Sequence, residues 1–190
     1  MRTVCIVQAR MESTRLPGKV LLPLGGLPVI QYVLEACGRI KGVDTVVCAM
    51  PTTPATKPLL DCVQRLGVPQ YLGHPTDCLD RYWHAAKAYR ADVIMRVTGD
   101  CPMLTPFWCE QTLARLPGYD YADNTREVSR GRDCQVFTWA ALDRAYHNAT
   151  EAYDREHVCP WMQRHMLVAP PLTSTALDTP EDYERLKEKF

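Results

Sequence analysis

The chain has 190 residues, and its 22 Lys+Arg are balanced by 22 Asp+Glu, so the formal net charge is zero. A chain of this length buries roughly 70% of the surface that its unfolded form exposes, so a core needs no covalent staples. The 46% hydrophobic and 23% charged content exclude disordered, collagen-like and coiled-coil classes, and the neutral balance argues against wholesale nucleic-acid binding.

In chain order, Met1-Arg2-Thr3-Val4-Cys5-Ile6-Val7 enters only a four-residue apolar stretch and carries no signal-peptide h-region. No apolar run approaches the ~20 residues of a membrane span, so a cytoplasmic protein with no membrane partner is expected. Thr3–Gln8, Thr45–Met50 and Asp92–Thr98 are brief runs rich in β-branched residues, the pattern of strands buried on both faces. Between them, Pro28–Ile40, Ala55–Leu66 and Asp77–Tyr89 have helical periodicity. Ile30, Val33, Leu34 and Cys37 recur at three- and four-residue steps in the first, and Asp77 suits the N-cap of the third. Further on, Phe107–Leu116 and Trp139–Asn148 read as helices and Cys134–Thr138 as a short strand. Ala152–Gln163 reads as a helix interrupted by Pro160, Val168–Thr175 as a turn or edge strand, and Thr179-Pro180-Glu181-Asp182 as the start of a final helix. Alternating strands and helices predict an α/β fold with a mostly parallel sheet covered on both sides. With no repeat or linker, residues 1–190 read as one domain.

The nine cysteines, at 5, 37, 48, 62, 78, 101, 109, 134 and 159, form no C-x-x-C pair. Their odd number and their setting in apolar runs point to small buried hydrophobes rather than a disulfide framework or a zinc ribbon.

In α/β sheets ligands bind beyond the carboxyl ends of strands, so the loop after the first strand is the first place for chemistry. It reads Gln8-Ala9-Arg10-Met11-Glu12-Ser13-Thr14-Arg15-Leu16-Pro17-Gly18-Lys19. A dinucleotide G-x-G-x-x-G is absent, and a Walker A loop would need Gly at Ser13 and Ser or Thr at Val20. Arg10, Arg15 and Lys19 nonetheless have the chemistry a triphosphate requires, forked guanidinium donors and a compact ammonium. A solvated basic loop is the competing reading. The strand at Asp92–Thr98 runs into Gly99-Asp100-Cys101-Pro102, which fixes the Asp100 carboxylate at the same crevice. Magnesium is held by one or two such carboxylates together with phosphate oxygens and water. Asp178 is a second candidate, with helix capping as its alternative.

Residues 8–21, Gln-Ala-Arg-Met-Glu-Ser-Thr-Arg-Leu-Pro-Gly-Lys-Val-Leu, resemble the opening of the cytidylyltransferase family, which includes CMP-KDO synthetases, CMP-acylneuraminate synthetases and SpsF-type spore-coat polysaccharide proteins. Cys78-Leu79-Asp80-Arg81-Tyr82, Val97-Thr98-Gly99-Asp100-Cys101-Pro102, Asp154-Arg155-Glu156-His157-Val158 and Asp178-Thr179-Pro180-Glu181-Asp182 are similar to SpsF-type segments in the same order. The resemblance implies a nucleotide-diphospho-sugar transferase (GT-A-like) fold, CTP as donor, a small-molecule acceptor and Mg2+ as cofactor. It implies that Arg10, Ser13, Arg15 and Lys19 hold the triphosphate, with Ala9, Met11 and Thr98 also on the nucleotide side and Asp77, Asp80 and Arg81 near the cytosine. Asp100 and Asp178 correspond to the metal carboxylates, and Arg15, Lys19 and Asp100 to the catalytic groups. Asn124, Arg126, Gln135, Arg155, Glu156 and His157 fall in segments that face the acceptor. For Arg155-Glu156-His157, a buried polar cluster or a dimer contact stays open, and homodimerisation is implied by resemblance alone.

The chain departs from the pattern in three places. Gln135 stands where SpsF-type chains often have Glu, Thr98 stands where CMP-KDO synthetases have Gln, and the stretch between His165 and Asp178 is short. The expected reaction is transfer of CMP from CTP to an acceptor oxygen with release of pyrophosphate, in polysaccharide or cell-surface glycan synthesis. The alternatives are a non-catalytic nucleotide-binding relative, favoured by the short C-terminal region, and a GT-A-type transferase using another nucleotide. The latter is disfavoured because no Asp-x-Asp occurs.

Overall fold

Val4, Cys5, Ile6 and Val7 are all 0% exposed, so the first strand has to be covered on both faces and both edges. The structure, a computed structural model describing residues 1–171 and Lys187, achieves this by placing that strand inside a six-stranded sheet. The strands are β1 (Thr3–Gln8), β2 (Pro23–Leu24), β3 (Leu27–Pro28), β4 (Thr45–Pro51), β5 (Gln70–Gly73), β6 (Val93–Thr98), β7 (Tyr121–Asp123) and β8 (Gln135–Thr138). The helices are α1 (Val29–Cys37), α2 (Lys57–Arg65), α3 (Cys78–Ala88), α4 (Pro106–Ala114), α5 (Trp139–Asn148), α6 (Ala152–His157) and α7 (Pro160–His165). The sheet order is β5-β4-β1-β6-β8-β7, while β2 and β3 form a separate small hairpin. Strands β5, β4, β1 and β6 pair in parallel, whereas β8 runs antiparallel to both β6 and β7. This is the expected mostly parallel, mixed sheet with helices on both sides.

Alternation along the strands separates two cores. Cys5, Val7, Met95 and Val97 pack with residues of α1, α2 and α4, including Val33, Leu59 and Cys109. Val4, Ile6, Ile94 and Phe137 face the other way, onto Leu79 and Tyr82 of α3, Leu142 of α5 and Met162 of α7. Each of these large apolar side chains contributes about 1.5–3 kcal/mol by leaving water. All nine cysteines are free and buried within this packing, as their apolar settings predict. No helix among the described residues is long and apolar enough to cross a membrane.

Local chemistry sets the helix ends. The Asp77 carboxylate caps α3 by accepting from the Asp80 N–H at 2.9 Å, and the Thr138 hydroxyl caps α5 by accepting from the Ala141 N–H at 3.1 Å. The Pro160 interruption separates α6 from α7, and between them Val158 adopts φ 69°. A β-branched residue in that region costs roughly 1–3 kcal/mol. The turn nevertheless buries Val158 and Met162 completely while leaving Glu156 and His157 exposed.

Three elements depart from the sequence reading. Gln70–Gly73, Tyr121–Asp123 and the Pro23–Pro28 hairpin are strands that periodicity did not single out. Of the expected edge strand at Val168–Thr175, Val168 forms a parallel bridge to Tyr121. Ala169, Pro170 and Pro171 are assigned no strand, whereas residues 172–175, Asp178 and the expected helix from Thr179 lie outside the described residues.

Candidate nucleotide site

At the carboxyl ends of β1 and β6 the chain leaves the sheet through Ala9 and Gly99, and the two exits are in close contact. A Cβ added to Gly99 would sit 2.8 Å from the Ala9 Cβ, 2.9 Å from Ile30 Cδ1 and 3.1 Å from the Gln8 carbonyl. Glycine is therefore needed for steric reasons, and the close approach aims Asp100 back over the loop that follows β1. That loop folds on itself: the Met11 carbonyl accepts from Ser13 N–H at 3.1 Å and Gly18 N–H at 2.9 Å, and Gly18 takes φ 68° to allow it. The reversal carries Lys19 to Asp100, and the two side chains form an ion pair.

A cavity opens where these exits meet. Its lining includes Ala9, Arg10, Lys19, Arg81, Thr98, Asp100, Glu156 and His157, so eight of the residues expected at the site come together from five separate segments. Arg10 reaches across to Glu156 at 3.7 Å. Two of the three loop cations thus rest on carboxylates of the cavity. Burial raises the Asp100 carboxyl, but the Lys19 ammonium and the Thr98 hydroxyl outweigh it and hold the group below its ordinary value. The neighbouring Cys101 thiol is pushed up to about 11 by burial, which makes it a poor nucleophile.

The other expected residues stand elsewhere. Arg15 is exposed at the tip of the loop and has no ion pair with a described residue, while Met11 packs against the core and Ser13 accepts weakly from Leu16 N–H at 3.4 Å. Asp77 is occupied twice, as the α3 cap and as ion-pair partner of Arg155, whose Nε donates to Oδ2 at 2.7 Å and whose Nη2 lies 2.6 Å from the same oxygen. Arg155 Nη1 also donates to the Tyr146 carbonyl at 2.8 Å. Asp80 accepts from the Tyr146 hydroxyl at 3.4 Å and neighbours His84. Asn124 is fully buried, its side-chain oxygen accepting from Cys134 N–H at 2.8 Å. Arg126 lines a second cavity, with Asp123, Thr125 and Gln163, that shares no lining residue with the first.

Six lining residues were not among the expected site residues: Gln8, Val20, Thr76, Cys78, Arg96 and Gly99. Arg96 is 9% exposed in a strand that is otherwise apolar up to Thr98. Its Nε donates to Gln8 Oε1 at 3.0 Å and its Nη1 to Gln135 Oε1 at 2.6 Å. A lone arginine within Val93-Ile94-Met95-Arg96-Val97 was the signal available in the sequence, because a buried strand seldom carries a charge without purpose.

The cytidylyltransferase family model matches residues 4–188. An uncharacterized protein of Methanocaldococcus jannaschii is 35% identical over 164 residues, covering 85% of this chain and 67% of the relative. The spore coat polysaccharide biosynthesis protein SpsF of Bacillus subtilis is 30% identical over 207 residues, covering 97% and 85% respectively. Among solved structures, a cytidylyltransferase from Leptospira borgpetersenii is 29% identical with TM-score 0.83, covering 100% of this chain and 88% of that one. A CMP:2-keto-3-deoxy-manno-octonic acid synthetase complexed with CTP shares the fold at TM-score 0.70 and 19% identity, covering 100% and 98%.

Proposed function

This chain belongs to the cytidylyltransferase family and is a nucleotidyltransferase, and from that footing we propose that it transfers CMP from CTP to an oxygen of an acidic sugar or sugar-like acceptor, releasing pyrophosphate, in the synthesis of a surface glycan. The observation that carries the reading is the meeting of Lys19, Arg10 and Asp100 in one cavity at the carboxyl ends of β1 and β6. A triphosphate entering there exchanges one set of partners for another. Its oxygens take over Lys19 and Arg10, which releases the carboxylates of Asp100 and Glu156. Arg15 lies exposed on the same loop and is free to swing onto the terminal phosphates, and Ser13 adds a hydroxyl donor. Arg81 and Thr76 line the wall on which a base can rest, beside Ala9.

The acceptor oxygen attacks the α-phosphorus in line, forming one P–O bond as the bond to the β-phosphate oxygen breaks. The electron pair leaves with pyrophosphate, where Lys19 and Arg15 offset the growing charge. The acceptor loses its hydroxyl proton, and Glu156 and His157 are titratable groups lining the cavity that can receive it directly or through water. Positioning and fixed charge supply most of the acceleration.

Magnesium suits this donor set. Asp100 offers a hard carboxylate oxygen in the cavity, which satisfies the one or two carboxylates magnesium takes when substrate phosphates complete its shell. Asp178 is the proposed second ligand. When bound, the ion supplies charge neutralisation at the phosphate oxygens.

Pyrophosphate release measured with each of the four ribonucleoside triphosphates, against a panel of sugar acids including 2-keto-3-deoxy-manno-octonic acid, tests the reading. Turnover with CTP alone is expected, falling ~10²-fold or more in Asp100→Asn. Equal turnover with another nucleotide, or CTP binding without any pyrophosphate release, defeats it.

A further inference from the structure

Arg96 is the buried charge that the proposed chemistry has not yet used. It sits on β6 directly opposite Gln135 of β8, and it shares a sheet face with Ile94, which packs beneath it against Tyr82 and Phe137. Its two hydrogen-bond partners are both neutral carboxamide oxygens, from Gln8 and Gln135. Among the described residues no carboxylate forms an ion pair with it. The Gln8 oxygen is already shared with the Cys78 thiol at 3.5 Å, so the amides orient the guanidinium without neutralising it.

Burying an arginine in this way is costly unless the charge meets an opposite one. The sheet does not provide that charge, yet the guanidinium lines the cavity that holds Lys19 and Asp100. Arg15, Arg10 and Lys19 all lie on the loop after β1, whereas Arg96 lies on the floor formed by the strands. With the terminal phosphates held by the loop, Arg96 is left for an oxyanion closer to the strands.

We infer that Arg96, aimed by Gln8 and Gln135, is an oxyanion-binding residue at the floor of the cavity, taking either the α-phosphate of the nucleotide or the acidic group of the acceptor. The inference rests on the cytidylyl-transfer reading for the identity of its ligand, but not for the binding itself. A guanidinium fixed by two amides presents its remaining N–H groups in one plane, the arrangement that recognises two oxygens of a carboxylate or phosphate together.

The decisive variant is Gln135→Glu. It changes one amide to a carboxylate of the same shape 2.6 Å from Arg96, giving the arginine an internal partner at the cost of the long hydrogen bond that Gln135 Nε2 donates to Asp133 Oδ2 at 3.4 Å. Arg96→Met removes the charge outright. Calorimetric titration with cytidine and with CMP reads the phosphate arm as the ratio of the two dissociation constants. For the acceptor arm, kcat/KM is compared between 2-keto-3-deoxy-manno-octonic acid, or whichever sugar acid turns over, and its carboxamide.

A tenfold or larger fall in one of these ratios is expected in Gln135→Glu, in a protein that still unfolds cooperatively. A fall in the CMP ratio assigns the phosphate, and a fall in the sugar-acid ratio assigns the acceptor. Should Arg96→Met fail to fold, Gln135→Glu alone decides. Unchanged ratios in a folded Gln135→Glu protein overturn the inference and leave Arg96 a structural residue. Wild-type protein that prefers CMP to cytidine yet releases no pyrophosphate defeats the transfer reading separately, and the CMP ratio still tests Arg96.

Discussion

Replacing Arg155 with alanine separates a ligand-binding arginine from a structural one. Its side chain donates from Nε to Asp77, pairs with the same carboxylate through Nη2 and donates to the Tyr146 carbonyl, and its guanidinium lies 5.2 Å from the Tyr146 ring centroid. The pair is about one-fifth exposed on each side, 23% and 20%, so it falls between two limits. Breaking a fully buried pair costs about 3–5 kcal/mol, and an exposed pair is worth about 0.2–1 kcal/mol. Arg155→Ala is therefore expected to cost about 2–3 kcal/mol. In a chain of this size, that lowers Tm by roughly 4–12 °C.

Asp77→Ala loses the α3 cap as well, worth ~1 kcal/mol, and should be the more damaging change. Asp77→Asn keeps a capping oxygen but loses the charge, and should fall between the two. Thermal and urea unfolding of the two alanine single variants and their double variant form a cycle, and the coupling energy should be about 1–2 kcal/mol. Stability within about 0.5 kcal/mol of wild type in Arg155→Ala, accompanied by a large rise in acceptor KM, would refute this reasoning and return Arg155 to the acceptor side.

Gly99→Ala should cost about 1–3 kcal/mol and lower turnover together, because the added Cβ meets Ala9, Ile30 and the Gln8 carbonyl within 3.1 Å. Unfolding and initial-rate measurements on one preparation check this, and a stable variant with full turnover would contradict it. Lys19→Met should move the Asp100 titration upward, since burial is then opposed only by the hydrogen bonds from the Thr98 hydroxyl and the Asp100 backbone. In the wild type, the folded carboxyl titrates below the unfolded one, so the pair's stabilisation is present above about pH 4 and fades as pH falls through the lowered value. In Lys19→Met the folded and unfolded values lie closer together, so this loss of stability in acid shrinks. Carboxyl-carbon NMR titration follows both, and an unmoved Asp100 curve would sink the assignment. All nine thiols are buried, so a disulfide reagent should label none rapidly in the native protein and all nine together on unfolding, and a fast native burst would contradict the packing.

Strands β1, β4 and β6 were legible because each is a β-branched run that has to be buried on both faces, a property written into consecutive residues. Of the strands that went unread, β5 and β7 are the two edges of the six-stranded sheet. Gln70-Tyr71-Leu72-Gly73 is only partly buried and Tyr121–Asp123 is three residues long, so their pairing depends on neighbours rather than on their own periodicity. The site divides in the same way. Arg10, Lys19 and Asp100 could be read from segments that are themselves informative, a basic loop and a strand-end carboxylate. The amide at Gln135 was visible as a departure from related sequences, but its effect on Arg96 depends on register across 39 residues. Arg155 and Asp77 carry suitable chemistry for ligands, yet 78 residues apart in sequence they are turned on each other.

The central position of β1 also bears on how the protein is made. Both partners of this strand lie downstream of it, β6 registering Gln8 against Thr98 and Ile6 against Arg96. At roughly 5–20 residues per second, a ribosome needs about 5–18 s to deliver the ninety residues between them. During that interval Val4-Cys5-Ile6-Val7 presents an unpaired edge, two of them until β4 is made, the kind of segment that chaperones cover and that aggregates otherwise. The floor of the nucleotide cavity is thus assembled from contacts of high sequence separation, which form late and slow the folding rate. Synonymous changes that alter translation speed between β1 and β6 should therefore affect soluble yield more than the same changes placed after β8.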